Sequence, residues 1–449
     1  MTEVEREKLA KVLREEAHLL TGKTENYDAL LDMIGDAHFV LLGEATHGTQ
    51  EFYRARANIT KRLITEKGFC GVAVEADWPD AYRVNRYIQG ENQDPSGQAA
   101  LGGFQRFPTW MWRNTEVLDF VEWLHQYNRD KQRPVGFYGL DLYSLYSSIE
   151  AVIEYLEKVD PQAAQRARQR YSCFEHFGED AQAYGHAASF QLSASCESEV
   201  VKQLTELQQQ KAHLLQKDGK LAEDELFYAQ QNARLVKNAE EYYRAMFHGK
   251  VSSWNLRDRH MAETLDALAS HLKYNAEMPK LVVWEHNSHI GDARATSVAE
   301  AGELNVGQLV RQKYERDAVL IGFSTFTGTV TAATDWGGQH EQKKVRPGLA
   351  NSYEELLHYA GKVTGEPNYY LILRDNGTVE QVLTGPCLQR AIGVIYLPRT
   401  ERISHYFYAS LPLQFDVYIH IDETHAVEPL DKTEVWVKGE VPETYPSSV

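Results

Sequence analysis

Short, almost uninterrupted hydrophobic runs alternate with amphipathic helical patterns along the first two thirds of the chain. Five of these runs predict β-strands, at residues 37–42, 70–74, 134–138, 281–284 and 319–323. Strands that are hydrophobic on both faces are typical of a parallel sheet covered by helices on both sides. The pattern therefore predicts an α/β fold with a largely parallel sheet flanked by helices.

The chain between the third and fourth of these strands has a different pattern. It contains no proline from Gln162 to Met278, and its leucine, alanine and tyrosine residues recur at helical spacings. We interpret residues 145–250 as an inserted, mainly helical domain. Residues 256–272 are predicted to form a helix that is capped by Asn255 and leads back to the sheet.

Further strand-like segments follow residue 300, at 369–373, 391–397 and 415–421. They predict either a second sheet or an extension of the first. The whole pattern gives a domain division that we state as an expectation. An α/β core comprises 1–144 and 251–330, the helical insertion comprises 145–250, and a smaller second α/β part comprises 331–449.

The composition and charge of the chain exclude several classes of function. The 449 residues are 43% hydrophobic and 25% charged, a balance typical of a folded enzyme. Acidic residues outnumber basic ones by 64 to 47, which argues against binding to nucleic acid or to anionic lipid. The sequence has neither a long apolar span nor the apolar region of a secretory signal. We expect a soluble, cytoplasmic protein, and no pattern predicts its oligomeric state.

The four cysteines are scattered along the chain and form no Cys-x-x-Cys pair. They are Cys70, Cys173, Cys196 and Cys387. Reduced thiols in a cytoplasmic protein account for this spacing. We therefore expect neither a disulfide nor a thiolate metal site.

Carboxylates and imidazoles stand at the carboxyl ends of four predicted strands. In chain order these residues are Glu44, His47, Glu75, Asp141, His286 and His289. Ligands of open α/β sheets bind outside the carboxyl ends of the parallel strands. Because burying several ionisable groups is costly unless they pair or do chemistry, we expect these side chains to form one functional cluster.

The residue types in this cluster favour the activation of water by histidine. The sequence contains no Gly-x-Ser-x-Gly, no His-Glu-x-x-His and no Gly-x-Gly-x-x-Gly motif. A histidine supported by a carboxylate is suited to act as a general base, and a second histidine or an arginine can polarise a carbonyl. The same residue types could instead hold a metal ion that generates hydroxide. The residues alone are compatible with both mechanisms, the histidine base and the metal-bound hydroxide.

The strand-end motifs resemble those of the erythromycin esterase family. The matching segments run in order along almost the whole chain, at 41–54, 75–77, 138–141, 255–261, 284–289, 401–407 and 414–416. The resemblance implies an α/β core with an inserted helical domain and a smaller second part. It also implies a cleft in which a histidine-activated water attacks the lactone ester of 14-membered macrolides.

The resemblance also implies roles for individual residues. His47 is the expected general base, and Glu44 and Glu75 orient this base or the water. The resemblance places His286 and His289 on the opposite wall of the cleft. It assigns Arg54, Asp141 and Arg257 to substrate binding. The expected partner is a small-molecule ester or lactone, with no cofactor and no metal ion.

Two alternatives stay open, because the family includes succinoglycan-biosynthesis-like members that do not all open macrolides. The first is a metal-dependent hydrolase that uses the same glutamates and histidines, since the Gly-Glu-x-x-His strand end is distantly similar to Tiki-type metalloproteases. The second is a ligand-binding or biosynthetic accessory protein that has lost hydrolysis.

Overall fold

The structure is a computed structural model that describes residues 3–177, 180–209, 219–247, 249–383 and 385–438. Its main feature is an eight-stranded sheet with the order β1-β9-β12-β6-β2-β5-β3-β4. The strands are β1 (Ala17–Leu19), β2 (Phe39–Leu42), β3 (Gly71–Asp77), β4 (Gly136–Asp141), β5 (Leu281–Trp284), β6 (Ala318–Ser324), β7 (Thr327–Ala332), β8 (Glu341–Val345), β9 (Asn368–Ile372), β10 (Cys387–Arg390), β11 (Tyr406–Ala409), β12 (Val417–Ile421) and β13 (Glu423–Thr424).

Helices connect most of the strands. They are α1 (Glu3–Glu15), α2 (Asp28–Ile34), α3 (Gln50–Lys67), α4 (Trp78–Ile88), α5 (Gly97–Ala100), α6 (Thr115–Asn128), α7 (Leu145–Val159), α8 (Pro161–Tyr171), α9 (Ala181–Ser189), α10 (Glu197–Gln209), α11 (Gly219–Ala245), α12 (Lys250–His271), α13 (Asn287–Ile290), α14 (Val306–Tyr314), α15 (Tyr353–Thr364), α16 (Gly377–Val382), α17 (Glu401–Ser404), α18 (Leu411–Gln414) and α19 (Glu434–Lys438). Among the described residues, no helix is both long and apolar enough to cross a membrane.

The centre of the main sheet is parallel, as the hydrophobic runs predicted. Strands β12, β6, β2, β5, β3 and β4 run parallel to one another, whereas β9 pairs antiparallel with β12 and β1 pairs antiparallel with β9. The four strands whose ends carry the predicted cluster, β2, β5, β3 and β4, are adjacent. Their carboxyl ends therefore meet along one continuous stretch of the sheet edge.

Both faces of this sheet are buried, which explains the continuous hydrophobic runs. Along β2, Phe39 and Leu41 belong to the hydrophobic core on one face, and Val40 and Leu42 belong to the core on the other. Side chains alternate between the faces of a strand, so a strand covered on both sides needs apolar residues at every position. The α/β fold class predicted from the sequence is confirmed.

The segments after residue 330 contribute to more than one sheet. Strands β9 and β12 extend the main sheet, while β13, β7 and β8 form a small three-stranded sheet and β10 pairs with β11. The strand predicted at 391–397 does not form, because this segment makes only isolated bridges through Ile392 and Ile395. The division of the chain into separate domains stays a prediction.

The predicted insertion between β4 and β5 is helical and contains α7 to α11; its residues 178–179, 210–218 and 248 lie outside the described residues. The prediction that Asn255 caps the following helix is wrong, because α12 already begins at Lys250. Asn255 instead ties α12 to the chain after β5. Its side chain donates to the carbonyl of Gly302 and accepts from the amide of Leu304.

The expectation of four reduced cysteines is also wrong for two of them. Cys173 and Cys196 form a disulfide within the helical insertion, with their Cα atoms 6.0 Å apart. Cys70 and Cys387 are free. The sequence pattern missed the bond because residues 23 positions apart show no local spacing signal, and only the packing of the insertion brings them together.

Candidate active site

The structure brings the predicted strand-end residues together in one pocket. The cavity has a volume of about 620 Å³, and His47, Glu75, Asp141, His286 and His289 line it. Glu44 lies directly behind His47 and is itself buried. The expectation that the strands deliver these groups to one place is therefore met by the topology of the sheet.

The loop after β2 is held tightly, and this fixes His47. The amide of Thr331 donates to the carbonyl of Gly48, and the hydroxyl of Tyr53 donates to the carbonyl of His47. A Cβ atom at Gly48 would lie 1.9 Å from the carbonyl oxygen of Thr331. Only glycine permits this close approach of two backbones.

Two glutamates flank the imidazole of His47. Its Nδ1 lies 2.8 Å from Glu44 Oε1, and its Nε2 lies 3.9 Å from Glu75 Oε1. The other oxygen of Glu44 forms an ion pair of 2.7 Å with the buried Arg56. A carboxylate at Nδ1 fixes the tautomer in which Nδ1 carries the proton, so Nε2 is left as the basic nitrogen.

Glu75 is the charge centre of the cluster. Its Oε1 accepts a 2.7 Å hydrogen bond from Arg257, and its Oε2 accepts from the backbone amide of His286 at 2.9 Å. Burial by itself would raise the pKa of this carboxyl, but His289, His47 and Arg257 outweigh burial and hold its pKa well below the ordinary value. Glu75 is therefore a carboxylate throughout the physiological pH range.

His289 bridges two carboxylates. Its Nδ1 lies 2.9 Å from Asp258 Oδ1, and its Nε2 lies 3.4 Å from Glu75 Oε1. Burial lowers the pKa of this imidazole, but Asp258 and Glu75 outweigh burial and raise it to about 9, although Arg257 opposes the rise. The indole of Trp254 stacks on the ring at a centroid distance of 4.5 Å. The two carboxylates thus favour the protonated form of His289, and Arg257, whose Nη1 lies 3.2 Å from Nε2, opposes it.

His286 has the opposite charge state. Its Nδ1 accepts from the backbone amide of Ser288 at 3.2 Å, so its proton lies on Nε2. Burial and then the neighbouring His47 lower the pKa of His286 well below its ordinary value, which keeps the ring neutral. A hydrogen bond with the backbone of Ala45 opposes this shift without reversing it. Nε2 is buried, and the ring centroid lies 4.7 Å from that of His47. A neutral imidazole therefore packs beside His47.

Asp141 and Arg257 line the pocket as expected but bind mainly each other. Arg257 donates from Nε and Nη2 to the two oxygens of Asp141, at 2.9 and 2.7 Å. Burial would raise the pKa of Asp141, but Arg257 outweighs it and lowers the pKa. A bidentate pair of this kind is rigid. It holds Arg257 where its Nη2 also reaches Glu75.

The structure does not bring Arg54 to this cluster, and its predicted place in substrate binding is corrected. The side chain of Arg54 is 53% exposed and pairs with Glu116 away from the pocket. Arg56 instead points inward, because a residue two positions further along α3 is rotated by about 200° around the helix axis. Its guanidinium lies over the rings of Tyr53 and Trp284.

The two arginines give a matched pair of variants. Arg56→Met is expected to lower the free energy of unfolding by about 3–5 kcal/mol, because it leaves the buried Glu44 without its cation. Arg54→Met breaks only an exposed pair and should cost less than about 1 kcal/mol. Urea unfolding of both variants measures the difference. Equal losses would contradict the assignment of Arg56 as the partner of Glu44.

The raised pKa of His289 predicts a pH-dependent stability. Because its folded pKa of about 9 lies above the ordinary 6.5, the stabilisation is fully present below about pH 6.5. It is lost as the pH rises through about 9. We expect the unfolding free energy of the wild type to fall over this range by up to about 3 kcal/mol more than that of His289→Asn.

The control for this titration is His425→Asn, which removes an exposed histidine paired with Glu51. Its unfolding free energy should follow the wild-type pH dependence. A His289→Asn profile parallel to the wild type would show that His289 does not titrate differently in the folded and unfolded states.

Sequence reasoning missed three residues of this site: Arg56, Trp254 and Asp258. A signal was present for two of them, since Trp254, Arg257 and Asp258 are spaced i, i+3 and i+4 and lie on one face of α12. The sequence motif includes Arg257, but its residue types alone do not mark Trp254 and Asp258 as parts of the site. No signal distinguished Arg56 from Arg54, because the rotation of α3 depends on its packing.

A second group resembles a Ser-His-Asp arrangement. Ser324 Oγ lies 2.9 Å from His420 Nδ1, and His420 Nε2 lies 3.2 Å from Asp422. Ser324 and His420 are completely buried, so a substrate carbonyl cannot reach the hydroxyl. We interpret this group as a satisfied polar network between β6 and β12.

The geometry agrees with the comparison to known families. The family model described as erythromycin esterase matches residues 64–424, which is most of the chain. The chain belongs to the erythromycin esterase family. The resemblance inferred from the strand-end motifs is thereby confirmed, and hydrolysis of macrolide esters is the activity of this family at its general level.

Similar proteins include both esterases and proteins described in other terms. The type II erythromycin esterase of Escherichia coli is 24% identical over 335 residues, which cover 70% of this chain and 75% of the relative. A Bacillus cereus protein and a succinoglycan biosynthesis protein are each 22% identical, with TM-scores of 0.77. The alignment with the Bacillus cereus protein covers 94% of this chain and 99% of that chain. The alignment with the succinoglycan biosynthesis protein covers 96% of this chain and all of that chain.

A third solved structure is a mutant of the erythromycin esterase EreC in its open conformation. It is 17% identical with a TM-score of 0.65, and the alignment covers 91% of this chain and 96% of that chain. At these identities the structural comparisons show the fold. The substrate of this family member depends on the lining of its own pocket.

Proposed function

We propose that this member of the erythromycin esterase family hydrolyses a lactone or another carboxylic ester with a water molecule activated by His47. The observation that supports the proposal most is the way His47 is held in the pocket. Glu44 lies 2.8 Å from its Nδ1, its basic Nε2 lies beside Glu75, and the neutral ring of His286 packs against the imidazole.

The first step follows from the distances around His47. A water molecule can bridge Nε2 of His47 and Oε1 of Glu75, which lie 3.9 Å apart. Its oxygen attacks the ester carbonyl carbon while Nε2 takes the proton. Glu44 at Nδ1 stabilises the imidazolium that forms.

The second step breaks the ester bond. The tetrahedral intermediate collapses, the bond between the carbonyl carbon and the alkoxide oxygen breaks, and His47 returns its proton to the leaving oxygen. The products are a carboxylic acid and an alcohol, which stay in one molecule when the substrate is a lactone. The Arg257 and His289 cations keep Glu75 ionised and in place during both steps.

The rest of the pocket favours a large, apolar substrate. Aromatic and apolar side chains line it beside the charged cluster, among them Phe104, Phe107, Met111, Trp112, Trp336 and Phe407. A volume of about 620 Å³ is in the range of sites that hold drug-sized ligands. These features support a macrolide lactone as the substrate class.

The donor atoms of the cluster favour a histidine base over a metal-bound hydroxide. Nδ1 of His47 and Nδ1 of His289 each lie against a carboxylate, and Arg257 donates a hydrogen bond to Oε1 of Glu75. These atoms are therefore already engaged within the protein. In the part of the chain that the structure describes, no group of three or more His, Cys, Asp or Glu residues is arranged to hold a metal ion. We therefore expect activity to survive prolonged chelation.

The test is a panel of macrolides, simple lactones and simple esters incubated with the purified protein. Mass spectrometry should show the gain of one water by at least one macrolide or large lactone. Hydrolysis that is lost on chelation and restored by one equivalent of a divalent ion would replace the histidine base with metal-bound hydroxide. Binding without any gain of water would favour the non-hydrolytic accessory protein.

A further inference from the structure

Tyr143 lies where the helical insertion meets the catalytic cluster. It follows β4 by two residues, and its side chain lines the pocket. Two guanidinium groups lie over its ring, with Cζ of Arg106 at 4.6 Å and Cζ of Arg257 at 4.9 Å from the centroid. The ring is therefore in contact with the arginine that binds Glu75.

The insertion holds Tyr143 through two consecutive tyrosines near the end of α11. The hydroxyl of Tyr242 donates to the hydroxyl of Tyr143 at 3.3 Å, and its ring packs edge-on at a centroid distance of 5.4 Å. The hydroxyl of Tyr243 donates to the backbone carbonyl of Tyr143 at 3.1 Å. Both the ring and the backbone of Tyr143 are thus held by the helical insertion.

We propose that Tyr143 is a positioning residue through which the helical insertion holds Arg257 against Glu75. The proposal rests on the proposed function, in which Glu75 orients the attacking water. An aromatic face stabilises a guanidinium and covers it from water. Without the ring, water can compete for the Nη2 of Arg257 that Glu75 shares with Asp141, so the guanidinium can shift away from Glu75 while its pair with Asp141 remains. Because the ring provides this cover, the aromatic face matters more than the hydroxyl.

The first test compares three variants by steady-state kinetics on the hydrolysed ester. Tyr143→Leu should lower kcat by about ten- to a hundred-fold with a smaller change in KM, since small displacements of positioned groups have effects of this order. Tyr143→Phe keeps the ring and should retain kcat within about threefold. Tyr146→Leu is the matched control, because Tyr146 packs against Phe174 inside the insertion.

The second test does not depend on turnover. Arg257 lowers the pKa of His289, so a guanidinium that withdraws should let that pKa rise. We expect NMR titration of histidine-labelled protein to show a higher His289 pKa in Tyr143→Leu. The wild-type value should persist in Tyr143→Phe and Tyr146→Leu. If Tyr143→Leu does not fold, Tyr143→Met removes the ring while filling most of its volume.

Each outcome decides the proposal. Equal losses in Tyr143→Phe and Tyr143→Leu, or an equal loss in Tyr146→Leu, would overturn it. An unchanged His289 titration in Tyr143→Leu would overturn it as well. If the wild type hydrolyses no ester, the proposed function fails, and the His289 titration alone decides whether Tyr143 holds Arg257.

Discussion

Replacing His47 by alanine or asparagine is expected to abolish detectable turnover while the protein stays folded. Nδ1 of His47 is held by Glu44, and its Nε2 lies 3.9 Å from Oε1 of Glu75, so one water beside the two atoms can contact both. Loss of a general base typically reduces the rate by about a hundred- to ten-thousand-fold. The measurement is kcat/KM on the substrate found in the ester panel.

The thermal unfolding midpoint of both His47 variants should change little, because Arg56 still neutralises Glu44. Two controls separate this loss from a general effect of losing a side chain. His425→Ala removes an exposed histidine, and Ser324→Ala removes the hydroxyl of the buried Ser-His-Asp arrangement. Both should keep their activity. A His47 variant that retains most of its turnover would remove His47 from the mechanism.

Glu75→Gln is expected to have the second largest effect, a fall in kcat of at least about a hundred-fold with a smaller change in KM. The substitution keeps the size of the side chain but removes the charge that faces His47, His289 and Arg257. The loss of an interaction that is made mainly in the transition state lowers kcat and kcat/KM together. Steady-state kinetics of the variant measure this split.

The fold of Glu75→Gln should survive, because Arg257 keeps its two hydrogen bonds to Asp141. Glu51→Gln is the matched control, since Glu51 pairs with an exposed histidine outside the pocket and should leave kcat unchanged. An increase in KM with kcat unaltered would assign Glu75 to substrate binding and would leave the water without its second partner.

The strand-end chemistry could be read from the sequence because it is local. A strand buried on both faces needs a continuous apolar run. The change from this run to ionisable residues such as Glu44 or His289 locates the end of the strand. Parallel strands then place these ends at one edge. The fold class, the helical insertion and the family followed from the same local patterns.

The partners of these residues could not be read in this way. Arg257 and Glu75 are 182 positions apart, and Asp258 and His289 are 31 apart, yet each pair is in contact. No periodicity links such positions, because the contact depends on the order of β3, β4 and β5 and on how α12 packs against them. The charge states of the cluster depend on the same contacts.

The sequence by itself therefore determined which chemical groups this protein brings to the edge of its sheet. The tertiary structure decided which of those groups are charged, which are neutral and which only hold others in place. Arg56 and Arg54 show the reason most simply, since two arginines on one helix differ only in the direction they face. Side-chain direction is set by packing against the whole fold, so Arg56 became the partner of Glu44 and Arg54 a surface residue.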